Sequence, residues 1–173
     1  MRAQKLGLNA FVAETDEALN KELHEVLQLV ETDMTIFYRR LADVDIQNQT
    51  LSDEELMAPI MAAYYAADAI TNDEKKRICT WLRQYQQRAQ QDDLPNDVRR
   101  EKMNAVNPKY VLRNYMAQLA IDDATHGDFA LVNELLELLR YPYDEQADKE
   151  QFAAKRPDWA RQRAGCSMLS CSS

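Results

Sequence analysis

Apolar residues recur along this chain at helical spacing, and no segment sustains the period-two alternation of a half-buried strand. Across residues 15–30, Leu19, Leu23, Val26, Leu27 and Val30 share one helical face, while Glu17, Lys21 and Glu25 lie off it. Thr15 or Asp16 suits its N-terminus, because a side-chain oxygen there accepts a first-turn N–H that has no partner inside the helix. A second helix is predicted to start at Thr32 or Asp33 and to carry Ile36, Phe37 and Leu41. The polar stretch 43–50 separates this pair from the next helical segment. Ser52 with Glu55, and Thr71 with Glu74, both fit the capping box, in which each side chain bonds the other's backbone N–H. The first box predicts a segment ending near Ile70, with Leu56, Ile60, Ala63, Tyr64 and Ala67 as its stripe and Pro59 marking a kink or a late start. The second opens a helix through Ile78, Trp81, Leu82 and Tyr85. Together they predict an antiparallel helical hairpin with a very short joint.

Beyond the loop at 92–95, a short helix over 96–105 leads to Asn107 and Pro108. Asn as cap and Pro at the first helical position suit each other, since the N–H that proline lacks would be unpaired there in any case. Val111, Leu112, Tyr115, Leu119 and Ala120 continue that helix to Gly127, which stops it in the left-handed conformation. Asp128 then caps a last helix with Phe129, Val132, Leu135, Leu136 and Leu139 inside. Tyr141 and Pro142 end the regular pattern, and residues 144–173 are polar with Phe152, Trp159 and Leu169 as scattered anchors. Such a composition lies along a larger body more readily than it folds alone. The predicted fold class is therefore all-α. It is an irregular bundle of six or seven helices over residues 1–140, with an extended, mostly irregular C-terminal arm over 141–173 ending in a Cys-containing tail.

Length and charge narrow the function classes. A chain of 173 residues can form one core, removing roughly 70% of its unfolded surface from water. No apolar run approaches the ~20 residues of a bilayer span, and residues 1–7 lead into no apolar block of a secretory signal. The expectation is a cytoplasmic protein with no membrane partner. A net charge of -8 disfavours nucleic acid, whose binders replace counterions with clustered Lys and Arg. The short basic patches Arg39–Arg40 and Arg99–Arg100 read as solvated helix faces or surface ion pairs. Only three glycines are present, Gly7, Gly127 and Gly165, too far apart to build one phosphate-cradling loop.

The remaining polar residues supply little chemistry. Metal-binding bundles place Glu-x-x-His on a helix so that both ligands share a face; His24 has Lys21 in the carboxylate position. His126 has Asp123, yet it stands beside Gly127, where a histidine also favours the helix C-terminus. Adjacent Asp122 and Asp123 point about 100° apart and do not converge on one substrate atom. Tyr64, Tyr65, Trp81 and Tyr85 fit a core better than a base-stacking surface. No catalytic, cofactor-binding or metal residue is assigned. Cys79 lies on an apolar face and reads as a small hydrophobe. Cys166 and Cys171 are the redox candidates: thiols on a polar tail are expected to be accessible, and in the cytoplasm a transient or regulatory bridge is the form a disulfide takes. Two unreactive thiols are the alternative.

Residues 107–115 (NPKYVLRNY), 142–146 (PYDEQ), 157–159 (PDW) and 171–173 (CSS), with the opening MRAQKLGL and TIFYRRL at 35–41, together resemble the C-terminal region of the selenoprotein O family, also called YdiU. The resemblance covers essentially the whole chain. It implies a parent with a kinase-like fold that transfers AMP from ATP to Ser, Thr or Tyr hydroxyls of proteins, using Mg or Mn. The family's nucleotide loop, phosphate-orienting residues and metal-binding aspartate lie upstream, so none maps here and no cofactor is expected in this region. The implied partners are the kinase-like N-terminal part of the same polypeptide and the parent's protein substrates. Cys171 matches the position that is selenocysteine in some members and cysteine in others, which implies regulatory pairing with a cysteine in the kinase-like part. Cys166 has no match, so pairing of Cys171 with Cys166, with a cysteine outside this chain, or with nothing all stay open. The expected role is scaffold and redox-regulatory tail of a protein adenylyltransferase, not catalytic alone. A free-standing helical protein-interaction module is the alternative.

Overall fold

The apolar stripes across residues 19–26, 36–41, 78–85 and 132–139 each lie on a helix, as their pattern predicts. The structure, a computed structural model, describes residues 2–166. In chain order the helices are α1 (Arg2–Lys5), α2 (Ala13–Leu29), α3 (Met34–Leu41), α4 (Asp53–Met57), α5 (Asn72–Gln90), α6 (Asn96–Asn104), α7 (Asn114–Thr125) and α8 (Ala130–Arg140). Short 3₁₀ segments lie between and after them. Among the described residues there is no strand, only one isolated bridge between Thr32 and Tyr64. The fold class is all-α, as expected. The chain divides into two compact units, one ending at Asn107 and the other beginning at Pro108.

In the first unit, Leu23, Val26, Phe37, Leu41, Leu56, Ile60, Ile78, Trp81, Leu82 and Tyr85 are all fully buried. Each large side chain so buried contributes about 1.5–3 kcal/mol. Trp81 also ties α5 to α2, because its indole N–H donates to the Leu19 carbonyl at 3.0 Å while its ring stacks on Tyr85. The caps form locally: Asp33 accepts from the Ile36 N–H, and both capping boxes are closed. The polar stretch 43–50 is fastened from neighbouring helices. Gln86 donates to the carbonyls of Asp45 and Asn48, Gln90 to that of Ile46, and Asn96 to the Asp45 carboxylate.

Two expectations in this unit are corrected. α2 begins at Ala13 behind Val12, which makes no side-chain cap; Asp16 instead reaches back to accept the Val12 N–H at 2.8 Å and is buried. The segment after Ser52 does not run on as a helix to Ile70. α4 stops at Met57 and Pro59 sits in a 3₁₀ turn, Ala58–Ala63, since proline has no N–H to continue the i to i−4 ladder. The chain then extends, with the Asp33 N–H bonded to Ala63 and the Tyr65 N–H to Glu31. There is no long hairpin with α5.

The second unit departs from its pattern at the start. Asn107 does not cap a helix at Pro108: no helix starts there, and its buried side-chain N–H donates to the Lys5 carbonyl of the first unit's own α1 segment. Residues 108–113 form no helix, and the N–H groups of Lys109 and Tyr110 both bond the Pro142 carbonyl. The next helix, α7, ends at Gly127 in the left-handed region, φ +87°. Asp128 accepts the Ala130 N–H at the start of α8. Tyr110, Met116, Ala120, Leu135 and Leu138 form this unit's buried core, and Phe152 packs against it. Residues 141–166 are mostly irregular, with 3₁₀ turns at Ala147–Ala153 and Asp158–Arg161. It is fastened to α8 by Gln146, whose amide donates to the Leu138 and Tyr141 carbonyls. Phe129, Val132 and Leu136, expected inside, are exposed.

Candidate functional site

The most elaborate polar arrangement in the first unit grows from a residue that sequence reasoning placed in solvent. Arg99 is 1% exposed. Its position in α6 brings the guanidinium under the end of α3, where it donates to the carbonyls of Leu41 at 3.4 Å, Ala42 at 2.9 Å and Val44 at 2.5 Å. It also donates to the Tyr85 hydroxyl at 2.8 Å. The last carbonyls of a helix have no intrahelical partner and carry partial negative charge, so a cation placed there meets both needs. The arrangement is reciprocal. Arg39 of α3 donates to the carbonyls of Asn104 and Asn107 at the end of α6. Gly7, at φ +69°, passes so close that a Cβ would come within 2.7 Å of the Arg99 Cγ. The solvated-face reading therefore fails for Arg99 and Arg39. Arg40 does pair on the surface with Asp43, and Arg100 is exposed.

A second buried pair joins α2 and α5. Arg88 donates to both carboxylate oxygens of Asp16, at 2.6 and 3.1 Å, and also to Asp92 and the Ala10 carbonyl. Burial alone would raise the Asp16 carboxyl, but the bonds from Arg88 and the Val12 N–H outweigh it and hold the group below its ordinary value. The bond to Asp16 likewise raises Arg88. A carboxylate locked in its ionised form by a bidentate guanidinium fastens helices; it does not exchange protons near neutrality.

The residues weighed for chemistry lie apart. His24 and His126 are exposed, each with Nδ1 on a backbone carbonyl one turn back, Asn20 and Asp122 respectively. Among the described residues no group of three or more His, Cys, Asp or Glu is placed to hold a metal ion. Asp122 pairs with Arg163 and Gln118, so it belongs to a helix surface. Tyr64, Trp81 and Tyr85 are core. Cys79 is buried, and burial pushes its thiol up to about 11. Cys166 is a free thiol and only 2% exposed, which corrects the expectation of an accessible thiol there. Cys171 lies outside the described residues.

A groove of about 500 Å³ runs between α2 and α5. The charged residues that line it, Glu22 and Arg88, are held in ion pairs with Arg77 and with Asp16 and Asp92. With no clustered glycines and no uncommitted cation in its walls, it does not fit a triphosphate and its metal. Among the described residues no helix is long and apolar enough to cross a membrane.

Comparison with known proteins gives a consistent match. A family model described as protein adenylyltransferase SelO matches residues 1–140. The protein nucleotidyltransferase YdiU of Rhodopirellula baltica is 54% identical over an alignment covering 100% of this chain and 33% of the relative. Those of Aromatoleum aromaticum and Flavobacterium johnsoniae are 50% and 49% identical, each again over 100% of this chain and 32% of the relative. The chain thus spans about a third of the length of the curated relatives it matches.

Proposed function

Because this chain belongs to the SelO family of protein adenylyltransferases, we propose that it serves as the helical C-terminal part of a longer adenylyltransferase, a scaffold and redox-responsive tail that does not catalyse alone. One observation carries the reading: the whole chain aligns, yet it accounts for only 33% of the Rhodopirellula relative. In this reading the longer polypeptide acts in the cytoplasm and moves AMP from ATP, with Mg or Mn, onto Ser, Thr or Tyr hydroxyls of protein acceptors. In this reading ATP and its metal are held by the kinase-like remainder, and the committed charges of the groove between α2 and α5 are consistent with that. The two arginine-capped helix ends and the buried Asp16–Arg88 pair support a scaffold role, since they fix helices relative to one another without leaving a reactive group free. The tail role falls to Cys171, paired reversibly with a cysteine of the kinase-like part or with Cys166.

The test uses labelled ATP, Mg and protein acceptors with the 173-residue chain and with the longer polypeptide. Label transfer by the longer polypeptide only is expected; robust transfer by the chain alone overturns the reading. Thiol trapping of the longer polypeptide under oxidising and reducing conditions addresses the tail. A reversible shift that vanishes in Cys171→Ser is expected, and an unchanged pattern removes the redox role.

A further inference from the structure

α8 is apolar over about half its circumference, counting about 100° per residue. Leu131, Leu135, Leu138 and Leu139 occupy one side of that half, and Phe129, Val132 and Leu136 the other. Its own unit covers only the first side. Leu135 and Leu138 are 5% and 2% exposed, whereas Phe129, Val132 and Leu136 are 57%, 40% and 53% exposed. The exposed large apolar residues of the first unit stand singly, Val12 just before α2, Met34 in α3 and Val98 in α6. Scattered apolar residues are ordinary on a soluble surface, but a continuous stripe marks a contact surface.

Resting on the reading that this chain is one part of a longer polypeptide, we infer that the Phe129–Val132–Leu136 stripe is the surface on which the remainder of that polypeptide docks. The occupant is an apolar face within the roughly two thirds of the relatives' length that this chain does not match. Size decides between this occupant and a second copy. Three partly exposed side chains offer at most several hundred Å², below the roughly 800 Å² per partner of a stable interface between free proteins. Within one polypeptide the tether raises the effective concentration to the millimolar range, and a small patch suffices.

The experiment compares Leu136→Cys in the 173-residue chain and in the longer polypeptide, following maleimide labelling by peptide mass, with Met34→Cys on the first unit as reference. Labelling at 136 is expected to slow at least tenfold in the longer polypeptide while 34 labels equally in both. Hydroxyl-radical oxidation of native Phe129 supplies the same comparison without any substitution. Equal rates at 136 and 129 in the two proteins overturn the docking surface and leave the proposed function standing. Protection already present in the short chain, with elution as a dimer, overturns it in favour of a second copy. A native polypeptide of only 173 residues sinks the proposed function and this surface with it.

Discussion

Arg99 and Arg100 are neighbours in α6, yet their removal has very different consequences. Arg99→Leu withdraws every guanidinium bond to the carbonyls of Leu41, Ala42 and Val44, three residues that are themselves 0–1% exposed. Stranding a buried acceptor costs about 1–3 kcal/mol. Relief of the arginine's own desolvation offsets part of that, so the net loss is expected at about 3 kcal/mol by chemical denaturation. Arg99→Lys recovers little of it, because one ammonium does not span carbonyls that a planar fork reaches together. Arg100→Ala stays within about 0.5 kcal/mol of the parent. Equal stabilities for Arg99→Leu and Arg100→Ala would show that the carbonyl cluster is satisfied without the guanidinium. Sequence pattern does not separate these two arginines, because burial of Arg99 depends on where α3 ends in space, and that is a tertiary fact. The same holds for Asp16, which lies inside the first turn of α2 and takes Arg88, seventy-two positions away, beside the Val12 N–H.

At the scale of elements, helix starts and the loop at Asp45 carry the pH response. Glu55 and Glu74 are held below their ordinary value of 4.5 by the Ser52 and Thr71 backbone N–H groups and then by the hydroxyls. Asp16 and Asp45 sit below 3.8, burial opposing and hydrogen bonds prevailing. In each case the folded state binds its proton less readily than the unfolded chain. The stabilisation is therefore complete above the unfolded values and is lost as pH falls through the folded ones. Unfolding titrations should show stability level near neutrality and falling below about pH 4.5, and Asp16→Asn should flatten the lower part of that fall. A stability that rises on acidification would contradict the assignment. The caps at Ser52 and Thr71 are legible in the sequence because a capping box closes within four residues. The helix expected through Pro59 fails where proline supplies no N–H to the ladder, whereas in the one expected from Asn107 the Pro142 carbonyl takes the N–H groups of Lys109 and Tyr110. For α8 the periodicity is right and the inference of burial is wrong, since the residues that would cover Phe129, Val132 and Leu136 are not supplied by its own unit.

Across the whole chain the two units hold unequal stores of buried apolar surface. Among the described residues, twenty-five core side chains cluster in the first unit and five in the second. Cooperative opening draws its free energy from such burial, so the units should open with different free energies even within one chain. Hydrogen exchange reads this directly. In the 173-residue chain, amides of α8 around Leu135 are expected to exchange at least about 100-fold faster than those of α5 around Trp81, a gap of about 2.8 kcal/mol. Matching rates in the two helices would mean that the chain opens as one cooperative body, and the division at Asn107 would then have no energetic meaning. In a longer polypeptide that covers the α8 stripe the gap should narrow from the α8 side alone, because burial added to Phe129, Val132 and Leu136 stabilises the second unit and leaves the Trp81 core as it is. A gap that closes instead by faster exchange at Trp81 would show that the attached polypeptide strains the first unit and does not complete the second.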